Sequence, residues 1–309
     1  MTWESFLAAE HFIMRTARLL DRHRFAYHFQ AGPAQPVRSA LSAYRNIDGG
    51  YGNALDPDLR GHASQPLAVD TALRILDELG PVPHDLGQGI CRHLASVAAP
   101  DGGLPPVTPA VRHTESAPWW RQRTDFGPDL ALTASITGRL HRHNITHPWR
   151  DRATAYCWKH IDALHWTEPH EAVGICAFLQ HVPDRPRALH TINRLSTMIR
   201  AAVNVRPADG AGVPGPRSAA PRHHVHTPLD LAPDPSCIAR PLFTDSEIDD
   251  ALERLERTQR PDGGWDTSWD HWDTAATLEL EGMRTVQRLR VLRAYGRLAP
   301  TLPTPRRDR

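Results

Sequence analysis

The sequence predicts an all-α chain, folded as an α/α toroid of five to six helical hairpins around a central cavity. Three observations carry that expectation. A short phrase, a leucine seven residues ahead of Asp-Gly-Gly, recurs as Leu41 with Asp48-Gly49-Gly50-Tyr51, Leu94 with Asp101-Gly102-Gly103-Leu104, and Leu255 with Asp262-Gly263-Gly264-Trp265. The first two copies lie 53 residues apart and the third 161 residues further on, close to three such intervals, with a degenerate Asp209-Gly210-Ala211-Gly212 on the same grid. Between the copies, apolar residues fall at helical spacing, and no run of β-branched alternation is strong enough to make a sheet. A period of this length describes units that bury their apolar faces only against their neighbours.

Taken in order, Trp3, Phe6, Leu7, Phe12, Ile13, Leu19 and Leu20 suit one amphipathic first helix. Pro36 to Arg45 reads as a short second helix with a proline near its start. Ser64 as N-cap and Pro66 in the first turn open a helix through Leu79, stopped by Gly80-Pro81. Leu86 to Val97 leads into the second turn, and Asp129 to His141 follows it. Trp149 to Leu164 and Pro169 to His181 occupy the grid position near residue 155 where a turn is missing. Arg187 to Val203 precedes the degenerate turn. The stretch 206–241, rich in proline and carrying His223-His224-Val225-His226, reads as a long loop. Asp245 to Gln259 and Asp273 to Leu298 form the last hairpin. Residues 1–299 are expected to make a single domain and 300–309 a disordered tail. In each turn the glycine pair permits a sharp reversal with positive φ.

The net charge of +1 carries no pull toward nucleic acid or an anionic membrane. Cys91, Cys157, Cys176 and Cys237 show no pairing pattern, which fits free thiols in a reducing compartment. Met1 to Leu20 carries Glu4, Glu10, His11 and Arg15 within its apolar run, so neither a signal peptide nor a membrane span is expected there. A cytoplasmic protein without integral membrane association is the expectation.

The last copy, Leu255-x-x-x-Gln259-x-x-x-Gly263-x-Trp265, resembles the QW repeat of squalene and oxidosqualene cyclases at each of these positions. The other copies keep Leu, Asp and Gly-Gly but lose Gln or Trp. The chain thus resembles the terpene cyclase and prenyltransferase superfamily. The stretch from Asp48 to Leu67 is also similar to actinobacterial proteins of like length described as prenyltransferase-like. The resemblance implies a hydrophobic, isoprenoid substrate and, in squalene-hopene-type members, a DxDDTA motif whose middle Asp protonates an alkene. An alkene is a very weak base, so that acid must be kept protonated among clustered carboxylates of unequal pKa.

Two partial counterparts follow Gly-Gly turns here. Asp56-Pro57-Asp58-Leu59 keeps the first and middle acids, and Asp270-His271-Trp272-Asp273-Thr274-Ala275 keeps the flanking acids with Trp272 in the middle. Asp58 is the preferred acid, with Asp56 beside it, Arg60 nearby and Asp70 one helical face onward. The alternative is that both aspartates cap a helix or pair with arginines. Asp273 reads as an N-cap. His170-Glu171, opening an apolar helix, is a candidate acid–base pair, against a capping role. Tyr51, Arg60, Gln65, Trp119, Trp120, Trp269 and Trp272 are candidate substrate contacts, the aromatics through cation–π stabilisation, against ordinary packing; Trp265 reads as structural. No DDxxD site, zinc triad, P-loop, dinucleotide fingerprint or Ser-His-Asp elbow is present, so no metal or cofactor is expected, and His223, His224 and His226 read as a solvated loop. Together these readings make a protonation-initiated cyclase or isomerase of an isoprenoid. A non-catalytic toroid binding a lipid-like ligand or a protein, and a toroid enzyme acting on a sugar or natural-product intermediate, stay open as alternatives.

Overall fold

The computed structural model describes residues 1–203, 226–267 and 272–298, and within them the regular structure is helical. The helices are α1 (Trp3–Thr16), α2 (Leu19–Phe29), α3 (Gln35–Ser42), α4 (Pro66–Glu78), α5 (His84–Val97), α6 (Pro118–Arg121), α7 (Leu130–Arg142), α8 (Pro148–Asp162), α9 (Pro169–His181), α10 (Arg185–Arg194), α11 (Ser196–Ala202), α12 (Pro228–Leu231), α13 (Asp245–Arg257) and α14 (Thr274–Ala294). Extended pairing among the described residues is confined to isolated bridges such as Leu59 with Ser116. No helix among them is long and apolar enough to cross a membrane.

Several elements differ from the sequence expectation for local reasons. The first helix is two, because Ala17 and Arg18 are extended (ψ 157° and 154°) and Ala17 packs into the space left by Gly282 of α14. The segment after residue 184 is likewise two helices, meeting at Leu195. Ser64 does not cap α4: Gln65 stands at that position, and the Ser64 hydroxyl donates instead to Asp48 Oδ1 at 2.8 Å. Part of the expected loop 206–241 is ordered as α12 and a 3₁₀ turn at Arg240–Leu242. Asp209 to Gly212, His223, His224, Trp269, Asp270 and the tail 300–309 lie outside the described residues. Asp129 and Asp273 are side-chain N-caps, accepting from Leu132 N at 2.7 Å and Ala276 N at 2.8 Å.

The three Asp-Gly-Gly copies make the same turn. Each aspartate accepts from the backbone N–H of the second glycine, at 2.9, 3.1 and 3.0 Å for Asp48, Asp101 and Asp262. Each first glycine has a strongly positive φ: 89° at Gly49, 97° at Gly102 and 95° at Gly263. Each also presses its Cα onto the backbone of a helix in the following hairpin: Gly49 on Gly89 of α5, Gly102 on Arg152 and Ala153 of α8. Gly263, in the last turn, seats on Ala8 of α1, and Gln259 Nε2 donates to Ser5 O at 2.8 Å beside it. The repeated phrase is therefore an inter-hairpin joint, in which leucine buries and glycine permits contact.

Gly263→Ala should cost about 2–5 kcal/mol in chemical denaturation, the sum of left-handed backbone strain and overlap with Ala8. Gly80, with φ 91° and open space around its Cα, isolates the strain alone, so Gly80→Ala should cost only about 1–2 kcal/mol. Equal losses for the two variants would contradict the joint.

Contacts link α4 to α7, α7 to α9, α9 to α12, and α14 to both α1 and α2. The α7–α9 contact is backbone on backbone, Gly138 against Ala177 and Gly174 against Ala131. Apolar side chains gather in two large clusters. One contains Phe12, Phe25, Phe178 and Leu289; the other contains Leu41, Leu73, Ile136 and Trp149. A third face of α2, α4, α7 and α14 is charged. There Arg24 meets both Asp21 and Glu78, Asp70 meets Arg74 and Arg139, and Arg290 reaches Glu78.

Candidate active site

The loop between the first Gly-Gly turn and α4 carries Asp56 and Asp58. Asn53 and Ala54, with φ of 55° and 63°, bend it inward, and its continuation is tied to the segment before α6 through Ala117 N donating to Asp58 O and Arg60 N to Glu115 O, both at 2.9 Å. The two carboxyls come to rest near the start of three helices: Arg18 precedes α2, the loop itself runs into α4, and Trp272 precedes α14. Helix N-termini favour anions. Burial works the other way, and here it wins.

Asp58 is buried, 9 % exposed, and its carboxyl is pushed up to about 7. Loss of hydration is the main cause and the neighbouring Asp56 charge the second; the Trp272 indole and Arg284 oppose them. Trp272 Nε1 donates to Asp58 Oδ1 at 2.9 Å. Asp56 is partly buried, accepts from Asp58 N at 3.1 Å and from Thr71 Oγ1 at 3.5 Å, and is also raised by burial, with Arg18 acting to lower it. Burial thus raises both carboxyls, and the charge of one bears on the ionisation of the other. Trp272→Phe removes the indole donor, so the Asp58 midpoint, followed by carboxyl ¹³C NMR, should climb above its present value; an unchanged or lower midpoint would contradict the assignment.

The remaining expected residues divide. Arg60 lies close by and holds Glu279 of α14 through two bonds of 3.0 and 3.2 Å. Asp70 is no proton donor. Arg74 grips it at 2.7 Å, Arg139 at 3.3 Å and the Ser135 hydroxyl at 2.6 Å, and although burial opposes them these partners hold its carboxyl below the usual range. Tyr51 is 2 % exposed in the apolar cluster and its phenol is pushed up to about 12 by burial. Gln65 Oε1 accepts from Thr108 N at 2.7 Å, fastening two loops together. Trp120 packs with Leu59, Val107 and Val111, while Trp119 is partly buried in α6. His170 and Glu171 stand apart at the start of α9: His170 packs edge-to-face on His226, and Glu171 accepts from Thr167 Oγ1 at 2.8 Å. Burial raises the Glu171 carboxyl, with Asp129 and Glu168 as its acidic neighbours. Trp269 lies outside the described residues.

Sequence reasoning missed Arg18, Arg284 and Glu279. A signal for them exists in the helices. On α4, Asp70, Arg74, Asp77 and Glu78 fall at i, i+4, i+7 and i+8, while Ala68, Val69, Ala72, Leu73, Ile75 and Leu76 are buried on the other faces. A charged stripe on a helix otherwise wrapped in apolar neighbours marks a face turned toward charged partners or solvent. Arg284 and Arg288 repeat the pattern on α14.

Among the described residues no group of three or more His, Cys, Asp or Glu side chains could hold a metal ion. No protein-family model matches the chain, and no curated protein is significantly similar to it.

Proposed function

We propose that the chain is a single α/α toroid whose interior carries an acid–base site, with Asp58 as proton donor and Asp56 as its ionised partner. The closed arrangement is supported by the Gly-Gly joints, each seated on the next hairpin and the last on α1. The observation that carries the activity is the Asp58 carboxyl, buried at 9 % exposure beside a second acid and pushed up to about 7 by that setting. A general acid works best with a pKa near the operating pH.

For the substrate, a polar molecule such as a natural-product intermediate bearing an anionic group is the better match. Arg74, which shares its surroundings with Asp56, Asp70 and Arg284, keeps 42 % of its side chain exposed, while Asp70 and Glu78 on the same stripe are enclosed in ion pairs, so its guanidinium is the part of α4 open to an anion. From α14, Arg284 shares those surroundings, while Arg290 pairs with Glu78 and Arg288 with Asp230. Protonation of an isoprenoid, the reading that the QW motif suggests, would use the same acid but calls for an apolar chamber. Trp120 is committed to its own small cluster with Leu59, Val107 and Val111, and Tyr51 to the core.

The test is a paired incubation of wild-type and Asp58→Asn protein, in chelator, with phosphorylated and carboxylated intermediates and with polyprenoids, products being followed by mass spectrometry. Conversion of the anionic set that disappears in Asp58→Asn is expected. Conversion of polyprenoids alone, lost in the variant, would restore the cyclase reading. Turnover indifferent to Asp58→Asn would end both.

A further inference from the structure

Arg18 sits in the elbow between α1 and α2, 7 % exposed at its side chain, and does three things at once. Its NH1 donates to Leu55 O at 2.8 Å and to Ala54 O at 3.3 Å, the carbonyls just ahead of Asp56. Its Nε donates to Asp21 Oδ2 at 2.8 Å. Its NH2 is buried without a hydrogen-bond partner, although a buried unpaired donor costs about 1–3 kcal/mol. Asp21 is held in turn by Arg24 at 2.7 Å, and Arg24 by Glu78 at 2.6 and 3.0 Å. A buried ladder of alternating charge thus runs from the far end of α4 to the back of the acid loop and ends in one guanidinium.

That guanidinium clasps a segment whose Asn53 and Ala54 have positive φ, a conformation that non-glycine residues keep only when something else holds them there. The clasp lies on the Asp56 side of the pair. Asp56 has Arg18, the Asp58 N–H and the Thr71 hydroxyl to steady a negative charge; Asp58 has the Trp272 indole and Arg284.

We infer that Arg18 is the positioning residue of the acid pair: it clamps the loop and, by its charge, makes Asp56 the carboxyl that stays ionised and Asp58 the one that keeps the proton. The inference deepens the acid–base reading and rests on it. Among the described residues, the other charged or titratable groups facing the pair include Asp70 and Arg74 from α4 and Arg284 from α14, and those facing Arg18 include Asp21, Tyr44 and Glu279. Arg18 bonds the loop backbone itself, at Leu55 O and Ala54 O. Two interacting carboxyls lose their protons in two steps, and a nearby opposite charge lowers one carboxyl by about 1–3 pH units, which is enough to choose the one that ionises first.

The experiment is a ¹³C-carboxyl NMR titration of Asp56 and Asp58 in the full chain, comparing wild type, Arg18→Lys, Arg18→Gln and a chain carrying citrulline, the uncharged isostere, at position 18. Removing the charge, by glutamine or citrulline, should raise the Asp56 midpoint by about one to three pH units and lower that of Asp58, so that the proton titrating near neutrality moves to Asp56. Arg18→Lys, which keeps the charge, should preserve the wild-type assignment. Citrulline retains the shape and most of the hydrogen bonds, so it serves if Arg18→Gln fails to fold. Folded, uncharged variants in which Asp58 still carries the neutral-range titration would overturn the inference, and so would Arg18→Lys behaving as the uncharged forms do. A wild-type Asp58 that titrates as an ordinary carboxyl would instead refute the acid–base reading itself.

Discussion

Asp58→Asn is expected to lower turnover by about 10²–10⁴-fold while making the protein more stable above pH 7. Both effects come from one cause. Burial and the Asp56 charge lift the native carboxyl from 3.8 to about 7, whereas the unfolded chain keeps the ordinary value. Below about pH 4 both states hold the proton and Asp58 costs nothing. Between about 4 and 7 the unfolded chain releases its proton while the native state retains it, so native stability falls as pH rises. Above about 7 the native state carries a buried anion, and the gap corresponds to about 4 kcal/mol. Asparagine keeps the oxygen that accepts from Trp272 and removes the ionisable group. Denaturant unfolding at pH 8 should therefore show a gain of about 2–4 kcal/mol over wild type, shrinking toward zero at pH 4. A variant less stable than wild type at pH 8, or equally offset at both pH values, would contradict the burial argument. Acid sites that cost stability are a common trade between function and folding.

Glu78→Gln should be the most damaging conservative change in the molecule. Glu78 Oε1 receives Arg24 NH2 and Arg290 NH1, both at 2.6 Å; its Oε2 receives Arg24 Nε at 3.0 Å and His28 Nε2 at 2.9 Å. The side chains of Glu78 and Arg24 are 2 % and 1 % exposed. Although burial opposes ionisation, these partners hold the Glu78 carboxyl far below its usual range, so its stabilisation is present above about pH 4 and is lost only in strong acid. Glutamine keeps the volume but leaves the Arg24 charge with Asp21 alone. Breaking such a pair from one side costs about 3–5 kcal/mol, because it strands a buried charge. The paired replacement Arg24→Met with Glu78→Met should recover part of the loss, since Asp21 keeps Arg18 at 2.8 Å and Arg290, 35 % exposed, reaches solvent. A loss below about 1 kcal/mol for Glu78→Gln would mean that solvent reaches Arg24.

The helical class and the hinge points of the fold were readable in advance, because glycine and aspartate at a turn act locally. Asp48, Asp101 and Asp262 each bond the second glycine of their own turn, a contact two residues long. Pro169 to His181 was delimited to the residue, with proline at its start and an apolar run behind it. The break at Ala17 was not readable. Its cause is Gly282, more than 260 residues away, whose missing Cβ lets the elbow in. The same contrast runs through the site. Asp58 and Trp272 could be picked out from the surroundings of their turns, but that the indole would serve the acid at 2.9 Å is a long-range fact. Asp70 read in sequence as a neighbour of the Asp58 acid; Arg74 at i+4, joined by Arg139 and Ser135 from α7, makes it an ionised strut.

The most direct test of the account is the carboxyl titration of Asp58 in the unmodified protein, by ¹³C NMR from pH 3 to pH 9. A midpoint at about 7, sensitive to Asp56→Asn, is what burial beside a second acid requires. A midpoint at about 4, the value of an aspartate in water, would contradict the account: Asp58 would then be an ordinary carboxylate at neutral pH and could not be the proton donor.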